Sequence, residues 1–395
     1  MIPTRQGALP HIHGLDGIRG LAVLLVIMIH SHLCSFGWVG VQMFFVLSGF
    51  LITRILVSEA GQDLKSYLLR FYWRRGLRIW PVYFGFLVVC AVAYFWVRVP
   101  ETMPTAWLWL VTFTYNFGRF LPDFVDSNYF GHFWTLCIEE QFYLVWPFVV
   151  FWLSPRGLYR VVITLVIAGP VVRLVSGLCL KTNLDTAAQI ANAVHSLPTS
   201  HLDAFAIGAL LTVLPEGWRK WLGVRAMKVF LTMLAITVTA GLTHAAFLQM
   251  NHRTPAWLAA GYGGMESYFQ YAWAYSLLNA TSAALILCAL EPTVLRRCLT
   301  WPWLSYIGKI SFGLYVVHLP LMHISHLLWP AGYHSAQGLT RFMIYFVVAL
   351  GVSSASYYLY EKRFLALKDT GWGMPKPTPQ TAPIKFSSAG MAEPS

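Results

Sequence analysis

Long apolar runs separated by short basic loops set the pattern of this chain. Read at helical length, they give eleven candidate helices, near residues 16–36, 38–57, 79–98, 105–118, 132–153, 158–180, 201–214, 227–249, 268–290, 303–328 and 339–360. Most approach the ~20 apolar residues that a helix needs to cross hydrocarbon. Basic residues cluster between the second and third segments (Lys65, Arg70, Arg74, Arg75, Arg78), the fifth and sixth (Arg156, Arg160), the seventh and eighth (Arg219, Lys220, Arg225, Lys228) and the ninth and tenth (Arg296, Arg297). Lys362, Arg363 and Lys368 follow the last. Were all eleven segments to cross, these clusters would fall on both sides, against the retention of Lys and Arg in the cytoplasm. Leaving the short aromatic segment TAWLWLVTFTYNFG uncrossed brings all five clusters to one side. The pattern therefore predicts an all-α polytopic membrane protein with ten transmembrane helices, a re-entrant or interfacial segment at 105–118, and both termini cytoplasmic. It divides into a short N-terminus (1–14), a membrane domain (15–364) and a tail (365–395) whose Pro, Ser, Thr and Ala without periodicity predict disorder.

Composition sharpens this. The 395 residues are 57% hydrophobic and 11% charged, where a soluble domain keeps about a quarter of its residues charged. The first apolar run is long, carries no cleavage signal and is expected to stay as an anchor. Six scattered cysteines without a CxxC suggest neither a disulfide framework nor a zinc site. A formal charge of +12 suits loops facing anionic membrane lipids, and nothing reads as a nucleic-acid footprint.

Polar residues inside apolar runs are the candidates for chemistry, because each is costly in hydrocarbon. Arg19 and His30 lie eleven residues apart, nearly on one helix face and ~16 Å apart along the axis. Arg19 is also placed to snorkel, and His30 to bond a neighbouring helix. In DLKSYLLRFYWRRGLRIW, Arg70 and Arg74 read as lipid-anchoring, whereas Arg75 and Arg78 enter the span and present donor forks suited to phosphate. The segment GHFWTLCIEEQFYLVWP puts His132, Glu139 and Tyr143 on one stripe with Glu140 beside it, and two adjacent carboxyls at that depth must pair, protonate or meet water. Asp203 opens the seventh segment as a cap or supporting partner. Ser311, Tyr315 and His318 form a polar stripe at i, i+4, i+7. His323 and His326 have metal-compatible spacing but no accompanying carboxylate or cysteine, so no metal is expected. Two tiers result. Arg19, Arg75, Arg78 and Lys309 lie toward the cytoplasm, and His30, Glu139, Glu140, Asp203 and His318 in the middle and outer half.

These motifs resemble the acyltransferase family 3 membrane proteins. The resemblance is carried, in order, by LDGIRG, GVQMFFVLSGFLIT, RRGLRIWPVYF, HFWTLCIEEQFYLVWP, LDAFAIGALL and ISFGLYVVHLP, across about residues 14 to 364. Each is weak alone; six in sequence make a strong assignment. It implies a ten-helix acyltransferase domain, an acyl-CoA donor (usually acetyl-CoA), and O-acylation of lipopolysaccharide O-antigen, exopolysaccharide, Nod factors or related acceptors in the bacterial inner membrane. The family histidine falls on His30, its arginine on Arg19, the Arg-x-x-Arg on Arg75 and Arg78, and the Trp/Glu motif on Trp134, Glu139 and Glu140. Glu361-Lys362-Arg363-Phe364 departs from the family's Glu-Arg-Pro-Phe, and His201 stands where an arginine is common. No SGNH-type hydrolase domain follows the helices, so transfer is expected within the membrane domain or by hand-over to a partner.

The expected mechanism holds the acyl-CoA phosphates on Arg75, Arg78 and Arg19. His30 serves as general base on an acceptor hydroxyl or as acyl relay, with Glu139 or Glu140 orienting the ring or the sugar. Trp134, Asp203, Tyr315 and His318 are the substrate-binding candidates, Trp134 as a stacking face for a pyranose ring or as core packing. The acceptor is expected to be a carbohydrate or glycolipid, and a homodimer is left open. The alternative is a transporter or flippase moving an anionic or proton-coupled substrate, which predicts translocation without coenzyme A; the lack of an internal repeat weighs against it. A lipid-binding scaffold would make the intramembrane carboxyls gratuitous.

Overall fold

The computed structural model describes residues 11–121, 124–182, 184, 186–252, 269–330, 332 and 335–369. Most of the N-terminal segment and the tail from 370 lie outside these residues. The helices are α1 (His13–His30), α2 (Val39–Ser58), α3 (Leu64–Val97), α4 (Met103–Val111), α5 (Tyr115–Gly118), α6 (Trp134–Trp152), α7 (Pro155–Leu180), α8 (Ala187–Ser196) and α9 (Leu202–Val213). They continue as α10 (Glu216–Val224), α11 (Ala226–Met250), α12 (Gln270–Leu290), α13 (Val294–Leu299), α14 (Pro302–Lys309), α15 (Ser311–Leu328), α16 (Ala336–Ser356) and α17 (Lys362–Ala366), with a π-helical turn at Tyr357–Glu361 before α17. No strand occurs among the described residues.

Eight helical segments are long and apolar enough to cross a membrane: α1, α2, α3, α7, α11, α12, α15, and α16 continued through α17. The chain is a multi-pass membrane protein. The other two expected spans are α6, which carries Glu139 and Glu140, and α9, whose 12 residues reach ~18 Å. The segment at 105–118 folds as α4 and α5, of 9 and 4 residues, too short to cross.

Two boundaries differ from the sequence pattern. The basic stretch before residue 79 is not a separate surface helix, because α3 runs unbroken for 34 residues with Pro81 inside it. A proline within a buried helix is tolerated where neighbours satisfy the freed backbone. The run at 303–328 is broken between α14 and α15 at Ile310. Arg74, expected on lipid, instead donates to Glu59 at 2.8 Å and ties α3 to the end of α2.

Within the bundle, the apolar windows of α2 and α12 are 61% and 67% buried, whereas those of α11 and α16 are 17% buried. The first pair is therefore central and the second peripheral. Close approach in the centre depends on glycine, as packing between helices in lipid generally does. A Cβ on Gly49 would lie 2.0 Å from the Phe205 carbonyl oxygen, and one on Gly208 would lie 1.9 Å from that of Val46. α2 and α9 thus touch backbone to backbone. The glycines of LDGIRG work in the same way: a Cβ on Gly17 would stand 1.9 Å from the Leu299 carbonyl oxygen. That contact presses the start of α1 onto the α13–α14 corner and fixes where Arg19 emerges.

Candidate active site

One cleft of about 780 Å³, open mouth included, runs between α1, α2, α3, α6 and α15. Three guanidinium groups line it: Arg19 from α1, and Arg75 and Arg78 from adjacent turns of α3. Arg19 is neutralised by Asp16 at 2.9 Å. Arg75 lies 5.8 Å above the Tyr143 ring, and among the described residues neither Arg75 nor Arg78 makes an ion pair. Two guanidinium groups held against apolar walls, neither closed into an ion pair although Glu139 lines the same cleft, leave donors free for an anion.

Glu139 faces this same cleft. Its carboxylate accepts short hydrogen bonds from the hydroxyls of Ser48, on α2, and Tyr143, one turn along α6. Tyr315 closes the inner end. Its hydroxyl donates to the His132 carbonyl at 2.8 Å and is shared with the Thr135 hydroxyl. Its ring meets Phe44 edge-on with centroids 6.3 Å apart.

Three imidazoles, none of them lining the cleft, cluster next to Tyr315, whose ring contacts those of His132 and His318. His30, at the last residue of α1, has Nδ1 2.8 Å from the Val26 carbonyl oxygen and 3.3 Å from Nε2 of His318. His318, fully buried on α15, places its own Nδ1 2.6 Å from the Tyr315 carbonyl oxygen. His132, in the 3-10 turn that starts α6, packs on His318 with ring centroids 4.8 Å apart. It is 3% exposed, and neither ring nitrogen has a hydrogen-bond partner. The backbone of Tyr315 and Val316 lies near it without meeting hydrogen-bond geometry.

The arginines thus share one cleft and the histidines form a separate cluster, while the acids divide between them differently from expectation. Glu139 belongs with the arginines. Glu140 points away, with one oxygen accepting from the Trp80 indole at 3.3 Å and the other buried without a partner. Neither carboxylate hydrogen-bonds His30, whose ring is oriented by Val26 and His318. Asp203 reaches neither tier. It is fully buried and held by Arg173 (2.7 and 2.8 Å) and Asn279 (3.3 Å). Ser276 donates to it at 2.5 Å.

Arg173 is the cation beside Asp203 and comes from α7, while His201 hydrogen-bonds Gln42 and the His195 carbonyl. Sequence reasoning missed Arg173 and Ser48: one charge in an apolar run reads as a snorkelling end, and a serine in a helix reads as neutral. Trp134 is buried, with His195 4.3 Å from one part of its ring and the Arg119 guanidinium 5.9 Å away. Burial holds the His195 imidazole well below its usual range, and His201 and Arg119 add to the effect. Lys309 does not line the cleft; its ammonium sits over Tyr357 at 5.0 Å. His323 packs on Tyr129. Among the described residues, the one cluster with metal-ligating groups is His11, His13 and Asp16, at the exposed start of α1. Its carboxylate is already shared by Arg19 and His11.

A family model described as an acyltransferase domain, that of acyltransferase family 3, matches residues 12–358. Among curated proteins, the chain is 28% identical over 326 residues to the O-acetyltransferase OatA of Staphylococcus aureus, covering 79% of this chain and 51% of that protein. It is 26% identical over 342 residues to the peptidoglycan O-acetyltransferase OatA of Listeria monocytogenes, covering 82% of this chain and 51% of that protein. The chain thus spans about half the length of the curated relatives it matches. No solved structure matches.

Proposed function

The chain belongs to acyltransferase family 3, and from that premise we propose that it is a bacterial cytoplasmic-membrane O-acyltransferase carrying an acetyl group from acetyl-CoA to a hydroxyl of a carbohydrate acceptor. The observation that carries the reading is the cleft lined by Arg19, Arg75 and Arg78, whose Tyr315 also contacts the cluster of His132, His318 and His30. The phosphates of acyl-CoA bind the guanidinium groups, and charge-assisted donors of this kind are the strong ones. The pantetheine arm runs along the apolar walls and passes Tyr315 to bring the thioester to His30.

At His30 the Val26 carbonyl can only accept, so Nδ1 carries the hydrogen and Nε2 presents a lone pair. Nε2 takes the proton of the acceptor hydroxyl as its oxygen attacks the thioester carbonyl. The tetrahedral intermediate collapses with loss of the C–S bond, and the coenzyme A thiolate recovers the proton from Nε2. In the acyl-relay variant, Nε2 itself attacks the thioester and expels the coenzyme A thiolate; the acceptor oxygen then attacks the acyl-imidazole, breaking the acyl–Nε2 bond, and the hydroxyl proton passes to the thiolate. The names of the relatives point to peptidoglycan as the acceptor rather than to lipopolysaccharide.

The test is transfer of labelled acetyl groups from acetyl-CoA to glycan in proteoliposomes, with mass spectrometry of the product. His30→Ala is expected to lower turnover by about 10²- to 10⁴-fold, the usual contribution of a general base, while remaining folded and inserted. Arg75→Ala and Arg78→Ala are expected to raise the KM for acetyl-CoA about 10-fold or more each, the worth of a hydrogen bond to a charged group. Near-normal turnover by His30→Ala rejects the mechanism.

A further inference from the structure

His318 and His30 come from helices 288 residues apart in sequence, yet their rings face with centroids 5.1 Å apart and Nε2 to Nδ1 at 3.3 Å. Which nitrogen carries hydrogen is fixed by what each nitrogen meets. Nδ1 of His318 lies 2.6 Å from the Tyr315 carbonyl, which only accepts, so that nitrogen is the donor. In the neutral ring Nε2 is then a lone pair. Nδ1 of His30 lies 2.8 Å from the Val26 carbonyl and is a donor for the same reason. The one hydrogen on His30 Nδ1 is thus shared between the Val26 carbonyl and the His318 lone pair, and His30 Nε2 is left bare. The tautomer of His318 follows from the Tyr315 carbonyl, and that of His30 from the Val26 carbonyl and the His318 lone pair acting together on one Nδ1–H.

We propose that His318 is the positioning residue of the reaction: a neutral acceptor that sets the angle of His30, reinforces its Nδ1–H tautomer beside the Val26 carbonyl and steadies the imidazolium formed when His30 takes the acceptor's proton. This rests on the acyltransferase reading and gives His318 a role in place of substrate contact. The group is rigidly built for it. His318 is fully buried, and the Tyr345 hydroxyl donates to its backbone carbonyl at 3.1 Å, pinning α15 at that turn to α16. Orientation of a basic imidazole through its other nitrogen is a general device, commonly served by a carboxylate. Here Glu139 is held by Ser48 and Tyr143, Glu140 lies by Trp80, and Asp203 is held by Arg173, so among the described residues no carboxylate hydrogen-bonds this ring. His132, the other imidazole against His318, meets it edge-on at 70° and makes no hydrogen bond to it.

The experiment uses the full chain in nanodiscs and compares His318→Phe, which removes the acceptor, with His318→Asn, which supplies an amide oxygen. His318→Phe is expected to lower kcat about 10- to 100-fold, the size of one charge-assisted hydrogen bond, with the KM for acetyl-CoA unchanged. His318→Asn is expected to recover most of that loss. In a His30→Ala background, His318→Phe should cost nothing more, the mark of two groups acting as one. A second readout is independent of turnover: nitrogen NMR of the ¹⁵N-histidine-labelled protein, with His30 assigned by its loss in His30→Ala. The Nδ1–H form of His30 should dominate in the wild type and lose that dominance in His318→Phe. Wild-type kcat in His318→Phe, or an unchanged His30 tautomer in that variant, overturns the proposal. If the wild type moves no acetyl group from acetyl-CoA yet the tautomer shifts as stated, the acyltransferase reading falls and the pairing of the two rings stands.

Discussion

Three acidic side chains inside one helical bundle meet three different fates, and their partners decide which. Glu139 keeps a hydroxyl on either side and faces the arginine cleft, Glu140 leaves one oxygen unpaired near Trp80, and Asp203 is saturated by Arg173 and its neighbours. Asp203 stood out in the sequence because a carboxylate opening an apolar segment needs a reason. Its counter-ion did not, since the two are 30 positions apart with a loop and α8 between them. Local patterning sees along one helix and is blind to pairs between helices. The Arg173–Asp203 pair is fully buried, so removing either member strands the other in a low-dielectric interior. Asp203→Leu alone is expected to destabilise the protein by about 3–5 kcal/mol. The double variant Arg173→Met/Asp203→Leu should recover much of that loss, because no lone charge remains. Thermal unfolding in detergent measures both, and a double variant as weak as the single would show that the pair is worth more than its charges.

At the scale of the element, apolar length and basic loops were enough to find the long apolar helices, because hydrocarbon enforces both, but not the short α8, α10, α13 and α17. What they did not find is where a helix continues or breaks without a change in polarity. Nothing between Leu64 and Val97 unwinds α3, although its composition changes from basic to apolar on the way. The break at Ile310 falls within a run whose apolar residues continue from α14 into α15. Glycine spacing was legible as motif but not as contact. The structure gives Gly49 and Gly208 the reason: each faces a carbonyl of the opposite helix at a distance that no side chain can enter. Gly208→Leu is therefore expected to drive α2 and α9 apart, and overpacking of this kind costs about 1–3 kcal/mol or more. A lowered melting temperature and loss of a monodisperse peak in size-exclusion chromatography are the expected results. The exposed Gly217, whose added Cβ would meet nothing within 4 Å, is the control that should tolerate alanine.

For the whole molecule, the arrangement is directional. Tyr315 lines the arginine cleft and also contacts His132 and His318, which do not line it. Arg19 is near the start of α1 and His30 at its end, so a single helix carries the polarity of the site through the bundle. The sequence anticipated that separation of cations from imidazoles, since helix geometry alone sets the distance between residues 19 and 30. It did not anticipate Tyr315 as the contact between them, nor Glu139 on the cation side, because both depend on how α6 and α15 rotate against α2. If the basic loops face the cytoplasm, as retention of Lys and Arg there requires, the cleft opens to cytoplasmic acyl-CoA and the histidines to an acceptor from the opposite side. This makes the reaction sided. Acetyl-CoA does not cross a sealed bilayer, so labelled acetyl-CoA added outside inverted membrane vesicles should support acetylation of acceptor trapped within, whereas right-side-out vesicles should stay silent until permeabilised. With the six native cysteines replaced by serine, a cysteine replacing Gln62, in the turn between α2 and α3, should react with an impermeant maleimide in inverted vesicles alone. Labelling of that cysteine from the outer face would reverse the bundle, putting the arginine cleft where no coenzyme A is found, and the proposed donor would have to be abandoned.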